Sequence, residues 1–567
     1  MIMSRNDIKI VLVAMYSEKF AMVGETHGVS VLAGELIDKK IVKPQNLLVL
    51  DMYAYDQNAR KENIIAEAIS FKPNMIGFSC PYGSYDYLKA FYNKEVINKL
   101  RPNPMIVFGG ALPTYIPEKY LSEIDEDAIV IRGEGEEAIC CLAKSLISTT
   151  DYLTIDNISF CQSGIIVHNK RKQVDLASVA PPYRGHLPDL LKTNAQIFVE
   201  NSRGCAWGKC NFCSRNIYLD DYKKTEYRRF PLERLKKDLI TLTEHGVKTI
   251  TFADEDFCGS GLNEMLDIVT LLQHLYNEKI KFVFDVSMNV NTIYNSCWSD
   301  CQVATSKDVL LKLKTLGLRK IFLGVESGSA TQLKRYNKQH QPIEAIKAIN
   351  ILRELNIQIE IGYILFDPLC SLSEIKENIE YLQSNNLSEI TSSLGSGLEL
   401  RLHFATQYVV LLDRYFAQTG QELYERVFDN DTLNYPSFYA DNNVSKICQF
   451  IRAANKNIRP LYYPLKSLSR YGENGALGTY SQYIKSLVVN IRECYIQQIK
   501  KYVFMFSEES ISADVSATGI LEDLEIAIVD LYYRNKTMLK RIINETDNKV
   551  LMSTVSEYDS LLASKTT

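Results

Sequence analysis

Short apolar runs alternate with longer helix-like stretches over the first 400 or so residues, and this alternation limits the possible folds more than any other feature. In the first 146 residues, five runs rich in Ile, Val, Leu or Met cover residues 9–15, 46–51, 75–79, 105–108 and 128–131. The stretches between them have amphipathic helical spacing, at 29–39, 62–71, 85–99 and 136–146. This alternation predicts a doubly wound parallel sheet, which binds ligands at the carboxyl ends of its strands.

A second series of strand and helix signals begins at residue 196. Predicted strands cover residues 196–200, 248–253, 281–286, 319–325 and 358–366, and a weaker sixth signal lies within 389–404. Helical stretches separate them at 232–245, 262–277, 306–316, 343–355 and 372–384. Six strand–helix units predict a partial (β/α)6 barrel of the TIM type, with its chemistry at the carboxyl-end face.

The remaining segments complete the predicted domain organisation. Residues 147–190 lose the alternation and contain a hairpin signal around Ser163 and Gly164, which indicates a linker. After residue 407 the strand signals end, and long helical patterns cover residues 480–506 and 520–543. We therefore predict a doubly wound sheet domain at 1–146, a linker with a hairpin at 147–190, the barrel at 191–407, and a mostly helical C-terminal domain at 408–567 that covers the barrel mouth and selects the substrate.

Charge and hydropathy exclude several classes of partner. The 567 residues include 64 Lys and Arg against 68 Asp and Glu, a formal charge of −4, so the basic excess typical of nucleic-acid binding is missing. No apolar stretch approaches the roughly 18 residues that cross a bilayer, and the run at residues 10–15 is too short for a signal peptide. We expect a cytoplasmic protein that binds neither nucleic acid nor membrane. Its 13 cysteines argue for metal ligation or buried thiols rather than a disulfide framework.

Three of the cysteines lie in one short segment directly after the first predicted barrel strand. Cys205, Cys210 and Cys213 are separated by four and by two residues. Three thiolates at this spacing can ligate three irons of a [4Fe–4S] cluster and leave the fourth iron open to a substrate or cofactor. The alternative is a structural zinc site, which would need a fourth Cys or His nearby; the next histidine is His245, on a predicted helix.

The cysteine segment resembles the cluster loop of the radical S-adenosylmethionine (SAM) superfamily, whose usual spacing is Cys-x3-Cys-x2-Cys. The first gap is one residue longer here, an insertion that the family tolerates. The resemblance implies that the three cysteines hold the cluster. It also places Phe212 against the adenine of SAM.

Motifs at the ends of the later strands extend this resemblance over residues 196–406. Residues 250–257 resemble the motif near the amino group of SAM, although acidic residues after a strand also form helix caps or solvated turns. Residues 322–329 match the fourth-strand motif closely, and residues 362–368 resemble the fifth-strand motif that lines the adenine. The SAM contacts that the resemblance implies are Phe212, Asp254, Glu255, Ser287, Asn289, Glu326, Ser327, Tyr363 and Leu365.

Glycine-containing motifs at three strand ends of the N-terminal sheet, residues 77–79, 108–111 and 132–137, resemble the cobalamin-binding domain that precedes the barrel in one radical SAM subgroup. Small residues let the backbone approach a corrin closely. The sequence around His27 departs from the family signature Asp-x-His-x-x-Gly, so we predict base-off binding without a histidine ligand. The alternative is a sheet kept only as a scaffold. The implied cobalamin contacts are Ser79, Cys80, Gly109, Gly110, Ala111, Gly133, Glu134, Gly135 and Glu136.

The resemblance implies an enzyme with three cofactors: a [4Fe–4S] cluster, SAM and cobalamin. An electron from a flavodoxin- or ferredoxin-type donor would cleave SAM, and the 5′-deoxyadenosyl radical would take hydrogen from an unactivated carbon of a small-molecule natural product or peptide. Methylcobalamin would then donate a methyl group, which makes the chain a predicted C-methyltransferase. Two alternatives stay open: a rearrangement, cyclisation or ring contraction without methyl transfer, and a non-catalytic cobalamin or cluster sensor.

Overall fold

The computed structural model describes residues 8–17, 24–55, 60–93, 103–148, 150–193, 195–214, 227–259, 261–391, 398–469, 477–506 and 513–566. Three structural parts follow one another along the chain: a sheet with helices, a partial barrel and a helical bundle. None of the helices in these ranges combines the length and the hydropathy that a bilayer-spanning segment requires.

The N-terminal part is a seven-stranded sheet in the order β2-β1-β3-β4-β5-β6-β7. Neighbours from β2 to β5 pair in parallel, so the predicted doubly wound sheet is confirmed. β1 is buried along its whole length, as expected for a parallel strand covered on both faces. The strands are β1 (Ile10–Ala14), β2 (Leu47–Asp51), β3 (Met75–Ser79), β4 (Met105–Gly109), β5 (Ile129–Ile131), β6 (Ile158–Gln162) and β7 (Ile165–His168).

Two details of this part differ from the sequence-based expectation. The hairpin that we assigned to the linker extends the sheet, because β6 pairs antiparallel with β5. The helix expected at residues 85–99 ends at Phe91, and residues 94–99 of that prediction lie outside the described residues. The helices of this part are α1 (His27–Asp38), α2 (Arg60–Phe71), α3 (Tyr85–Phe91), α4 (Ala111–Tyr115), α5 (Pro117–Glu123) and α6 (Glu136–Ser148).

The central part is a five-stranded parallel sheet in the order β14-β13-β12-β11-β8. A helix follows each of its strands from β11 onward, and α7 (Leu187–Lys192) precedes the sheet. The expected sixth strand lies partly outside the described residues; within them it forms the isolated bridges Ile361–Thr391 and Phe366–Glu399. The strands are β8 (Phe198–Val199), β11 (Thr249–Phe252), β12 (Val283–Met288), β13 (Leu318–Glu326) and β14 (Gln358–Tyr363), and a small ladder joins β9 (Ser202–Arg203) to β10 (Arg228–Arg229).

Alternation along β13 separates the core of this part from an open interior. Ile321, Leu323 and Val325 are fully buried against the surrounding helices. Phe322, which points to the opposite face, remains 36% exposed. The inner face of the sheet is therefore partly open at Phe322. The surrounding helices are α8 (Leu232–Glu244), α9 (Leu262–Asn277), α10 (Asp300–Thr315), α11 (Ala330–Arg335), α12 (Pro342–Glu354) and α13 (Leu372–Ser384).

The C-terminal part is helical, as predicted. After α14 (Gln407–Thr419), four long helices form a bundle: α15 (Asn442–Ser469), α16 (Ser481–Met505), α17 (Ala513–Thr546) and α18 (Lys549–Thr566). α15 packs against the other three, and α16 also contacts α13 of the barrel. The buried Arg492 guanidinium of α16 donates to the Glu389 carbonyl over 2.8 Å, which fixes the bundle to the barrel.

Candidate active site

The loop that carries the three cysteines, residues 204–213, begins directly after β9. Gly204 and Gly208 have positive φ angles of 87° and 58°, which a residue with a side chain rarely adopts. Residues outside the loop bind three of its N–H groups: Glu255 Oε2 accepts from the Gly204 amide (2.9 Å), the Asn337 carbonyl from the Trp207 indole (2.7 Å), and the Tyr336 carbonyl from the Asn211 amide (2.9 Å). The loop is therefore held by residues that follow β11 and β13.

The three thiols lie half-buried on this loop. The pKa of Cys210 is raised to about 12, chiefly by burial; the charge of Lys338 acts to lower it, and the nearby Cys213 and Cys205 act in the same direction as burial. Each thiol is thus within electrostatic reach of another. No three Cys, His, Asp or Glu side chains of the described residues converge on one point where a single metal ion would bind. A [4Fe–4S] cluster instead spreads its ligands over three irons around a space, and a half-buried loop of three cysteines fits it better than a zinc ion.

Two polar side chains from neighbouring strand ends contact the first cysteine. Asn289, just after β12, donates to Asp256 Oδ2 over 2.6 Å, and its Nδ2 lies 3.6 Å from Cys205 Sγ. Asp256 Oδ2 lies 3.9 Å from the same sulfur. The structure thus brings the predicted Asn289 to the cluster loop and adds Asp256, which the sequence analysis did not select although it adjoins the predicted Glu255.

Asp254 is fully buried, and its carboxylate accepts from the Ser202 hydroxyl and from the Asn201 amide. Burial raises its pKa from 3.8 to about 7. The Asp254 side chain therefore holds the backbone just before the cluster loop. Both hydrogen bonds are made with groups of the protein itself, the Ser202 hydroxyl and the Asn201 amide.

The raised pKa of Asp254 predicts a pH-dependent stability. Between about pH 4 and pH 7 the folded protein holds a proton that the unfolded chain has lost, so stability falls as pH rises, by up to about 1.4 kcal/mol per pH unit. Asp254→Asn should remove this slope between pH 5 and 7, measured as unfolding midpoints of the cofactor-free protein. Asp267→Asn, at an exposed carboxylate, is the control; equal slopes in wild type and Asp254→Asn would contradict the prediction.

Glu326 ends β13 in the left-handed region, with φ 65°, at an irregularity in the pairing with β14. Its carboxylate lies between two glycines: a Cβ on Gly324 would come 2.9 Å from Oε1, and one on Gly362 3.2 Å from Oε2. Lys338 Nζ lies 3.4 Å from Oε1. Although burial acts to lower it, the pKa of Lys338 is raised by Glu326 and by the nearby cysteines. Glu326 is thus an acceptor in the barrel interior, a position compatible with the SAM contact that the motif implies.

Three of the predicted SAM contacts turn away from this interior, so their predicted side-chain role is not supported. Ser327 is fully buried, with its hydroxyl 2.5 Å from Gln332 Oε1 and 2.9 Å from Asn378 Oδ1. The Tyr363 hydroxyl donates to Asn378 Oδ1 over 2.6 Å, and Leu365 is fully buried in the core. The backbone reversal at Glu326 places Ser327 on the helix side of the sheet. Tyr363 lies on that side because it alternates with Gly362 along β14.

The two remaining SAM candidates keep positions compatible with their predicted role. Ser287 is half-buried on the face of β12 opposite to Val286 and Met288, which pack in the core. Phe212 lies on the cluster loop, and its ring meets Tyr336 edge-on at 5.4 Å.

A cleft of about 1470 Å³, counting its open mouth, runs along the carboxyl ends of the N-terminal strands. Seven of the nine predicted cobalamin contacts line it: Ser79, Gly109, Gly110, Gly133, Glu134, Gly135 and Glu136. Its opposite wall comes from the barrel part and includes Glu200, Arg203, Gly204, Arg228 and Glu255. The cleft therefore joins the sheet edge to the first residues of the cluster loop.

The other two candidates, Cys80 and Ala111, are not among the residues that line the cleft. Cys80 is fully buried, its thiol donates toward the Phe78 carbonyl at 3.7 Å, and burial raises its pKa to about 12. Ala111 is the first residue of α4. The structure does not support a cobalamin contact from the Cys80 side chain, because the residue after the strand end turns into the core.

The cleft fits a large, amide-rich cofactor on three observations. A Cβ on Gly109 would have its nearest neighbour 3.9 Å away, and one on Gly28 none within 4 Å, so the absence of side chains leaves open space. Gly110 has a φ of 100°, and a Cβ there would lie 3.0 Å from the Cys80 backbone. Glu136 Oε2 is buried without a hydrogen-bond partner among the described residues, and it offers an acceptor to an amide N–H.

The carboxylates of Glu134 and Glu136 also join the two parts of the protein. Arg203 Nη2 donates to Glu136 Oε1 over 2.6 Å, and Nη1 lies 3.3 Å from Glu134 Oε1. Arg203 Nε binds Glu200 Oε1 at 2.8 Å, and Arg228 binds Glu134 as well. Arg203 lies two residues before Cys205, so an ion-pair network links the predicted cobalamin loop to the cluster loop. Neither arginine was predicted from the sequence. The acidic residues that alternate with the glycines, Glu134 and Glu136, are the sequence feature that indicates cationic partners.

Arg203→Met should destabilise the protein strongly. The change leaves the buried carboxylate of Glu136 without its cation and removes one of the two arginines near Glu134 and near Glu200. Breaking a buried pair in this way typically costs about 3 to 5 kcal/mol. Arg229→Met is the matched control on the neighbouring strand, since Arg229 pairs with an Asp267 side chain that is 63% exposed, and exposed pairs contribute less than about 1 kcal/mol. Denaturant unfolding of both variants measures the difference in the free energy of unfolding. Losses of equal size would contradict the prediction that the Arg203 network stabilises the junction of the two parts.

Comparisons with known proteins agree with this organisation. The family model of the B12 binding domain matches residues 16–143, and that of the Radical SAM superfamily matches residues 199–382. The 4'-phospho-dehydrooxetanocin synthase of Priestia megaterium is 28% identical over 346 residues, which cover 56% of this chain. The aligned part spans only 44% of that relative's length.

Solved structures show that the three-part fold is shared. The cobalamin-dependent S-adenosylmethionine radical enzyme OxsB, with aqua-cobalamin and S-adenosylmethionine bound, aligns with a TM-score of 0.81 and 20% identity, over 98% of this chain and 84% of its own. The radical S-adenosylmethionine methyltransferase TsrM from Kitasatospora setae, with cobalamin and a [4Fe–4S] cluster bound, has a TM-score of 0.60 and 15% identity, over 88% of this chain and 100% of its own. The chain belongs to the radical SAM enzymes that carry an N-terminal B12-binding domain.

Proposed function

We propose that the chain is a cobalamin-dependent C-methyltransferase that acts on an unactivated carbon of a small natural-product or peptide substrate. The observation that carries the proposal is the single cleft that extends from the glycine edge at Gly109 and Gly135 to Gly204, next to Cys205. A cofactor on the sheet edge and a reaction at the cluster loop would share this space. When bound, the cluster supplies one electron for SAM cleavage, SAM supplies the radical that takes hydrogen, and cobalamin supplies the methyl group.

The side chains around the cleft would bind and orient these groups. Cys205, Cys210 and Cys213 would hold the cluster, with Asn289 and Asp256 fixing the first thiolate. Glu255 and Glu326 would accept from the ammonium or ribose hydroxyls of SAM, because charged acceptors form the stronger hydrogen bonds. The backbone at Gly109, Gly110, Gly133 and Gly135 would lie against the corrin.

A second candidate is a rearrangement without methyl transfer. The curated relative from Priestia megaterium is named a synthase, and the OxsB fold covers 98% of this chain, including the C-terminal bundle. TsrM, named a methyltransferase, covers 88%. Both outcomes use the same cluster and cleft, since substrate placement decides between them.

An anaerobic assay tests the proposal. Reconstituted protein is given hydroxocobalamin, methyl-labelled SAM and titanium(III) citrate, and 5′-deoxyadenosine and S-adenosylhomocysteine are followed by mass spectrometry, with a sample lacking cobalamin as control. Both products, with label on cobalamin, support the methyltransferase. 5′-Deoxyadenosine alone favours the second candidate. Cluster-loaded protein that binds cobalamin and forms neither product would contradict both and favour a sensor.

A further inference from the structure

We infer that the outer surface of the cluster loop is the docking site of an acidic one-electron carrier protein. We call this surface the Trp207 face, formed by Trp207, Lys209, Lys334, Asn337 and Gln341. The inference rests on the proposed function, because reductive SAM cleavage needs an electron from outside. It adds the place and the chemistry of the contact.

The Trp207 ring is half-buried at the surface and fixed in place. Its indole donates to the Asn337 carbonyl over 2.7 Å, and the Asn337 side chain donates to the Lys209 carbonyl over 2.8 Å. Lys209 Nζ lies 5.1 Å from the centre of the ring. A surface tryptophan that is already ordered loses little conformational entropy when a partner binds, and such residues dominate the energetics of protein contacts.

The charge of this face is positive. Lys209 and Lys334 are exposed, and neither forms an ion pair among the described residues. None of the described residues that line the groove beside them carries a carboxylate. Glu344, whose Oε2 accepts from the Gln341 amide, is the acidic side chain at its edge. A partner with an acidic surface would therefore meet unneutralised lysines, which steer association.

This face also gives the short route to the cluster. Trp207 lies on the loop between Cys205 and Cys210, and Lys338, which lines the groove beside Lys334, is close to both cysteines. The opposite side of the loop, at Gly204 and Glu255, faces the cleft where the chemistry is proposed. A carrier on the Trp207 face would deliver electrons without entering that cleft.

Reductant exchange on the reconstituted holoenzyme tests the inference. The variants are Lys334→Glu and the double change Lys209→Glu with Lys334→Glu. The control double variant carries Lys237→Glu and Lys446→Glu, exposed lysines on α8 and α15 that form no ion pair among the described residues. Initial rates of 5′-deoxyadenosine formation are measured with pre-reduced flavodoxin at low and high salt, and with titanium(III) citrate.

At low salt, we expect the flavodoxin-driven rate of the double variant to be at least about tenfold below that of wild type. This rate should also lose most of its dependence on salt. The single variant Lys334→Glu, at a residue outside the cluster loop, should keep its titanium-driven rate within about twofold of wild type. The control variant should behave as wild type with both reductants. Wild-type flavodoxin-driven rates in the double variant would overturn the docking site while leaving the proposed function intact. A wild-type protein that fails with titanium(III) citrate would instead count against the proposed function.

A second measurement distinguishes the loss of carrier docking from damage to the cluster loop. Should the double variant lose its titanium-driven rate, the neutral pair Lys209→Gln with Lys334→Gln is measured in the same way. A smaller flavodoxin-specific loss in that pair supports the inference, and equal losses with both reductants reject it.

Discussion

Cys210→Ala is expected to abolish reductive cleavage of SAM, reducing 5′-deoxyadenosine formation to the level of a protein-free control. With three cysteines as the cluster ligands, the loss of one leaves two, and the cluster is released or becomes labile. Cys210 is the informative choice because burial, Lys338 and both other cysteines all affect the pKa of its thiol. Iron and sulfide content and the electron paramagnetic resonance signal of the reduced protein measure the cluster directly.

Cys297→Ala is the matched control, since Cys297 is an exposed free cysteine outside the loop. It should keep the full cluster and full activity. A Cys210→Ala protein that retains a stoichiometric, reducible cluster would show that the three-cysteine assignment is incorrect.

Gly109→Leu is expected to weaken cobalamin binding by about 100-fold or more, a change of about 2.8 kcal/mol. A Cβ on Gly109 meets no neighbour closer than 3.9 Å, and its φ is not in the left-handed region, so the protein tolerates the side chain. The added carbons then occupy the cleft itself. Equilibrium binding of hydroxocobalamin to the cobalamin-free protein, followed by absorbance, gives the affinity.

Ala111→Leu is the matched control, because it also enlarges a small side chain two residues away but off the described cleft wall. It should bind cobalamin normally, and Gly109→Ala should fall between wild type and Gly109→Leu. Gly109→Leu should still assemble its cluster. Unchanged cobalamin affinity in Gly109→Leu would place the cofactor elsewhere.

The strands of both sheets were predictable because parallel strands covered on both faces are continuous apolar runs. β1, β3 and β13 begin or end within one residue of their predicted bounds. The glycine motifs identified the cleft, since a backbone that approaches a ligand closely requires small residues at known strand ends. Motif spacing likewise located the cluster loop.

Side-chain direction was harder to predict. Glu326 adopts the left-handed region, which glutamate does not favour, and the pairing of β13 with β14 shifts there. Because that reversal has no signature in the sequence, the motif placed Ser327 toward the interior, although its hydroxyl lies beside Asn378 on the helix side. The pairing of Arg203 with Glu136, separated by 67 positions, depends on how two domains meet, which no local pattern encodes.

The shared wall of the cleft constrains how such a chain can diversify. Modular proteins often change function by exchanging one domain for a homologue, but here Arg203 and Arg228 of the barrel part need the carboxylates of Glu134 and Glu136. A transplanted N-terminal domain without those two acids would leave both arginines without these partners at the junction. The two halves are therefore expected to be inherited together, and new substrates to arise through the C-terminal bundle, which shares no residue with this network.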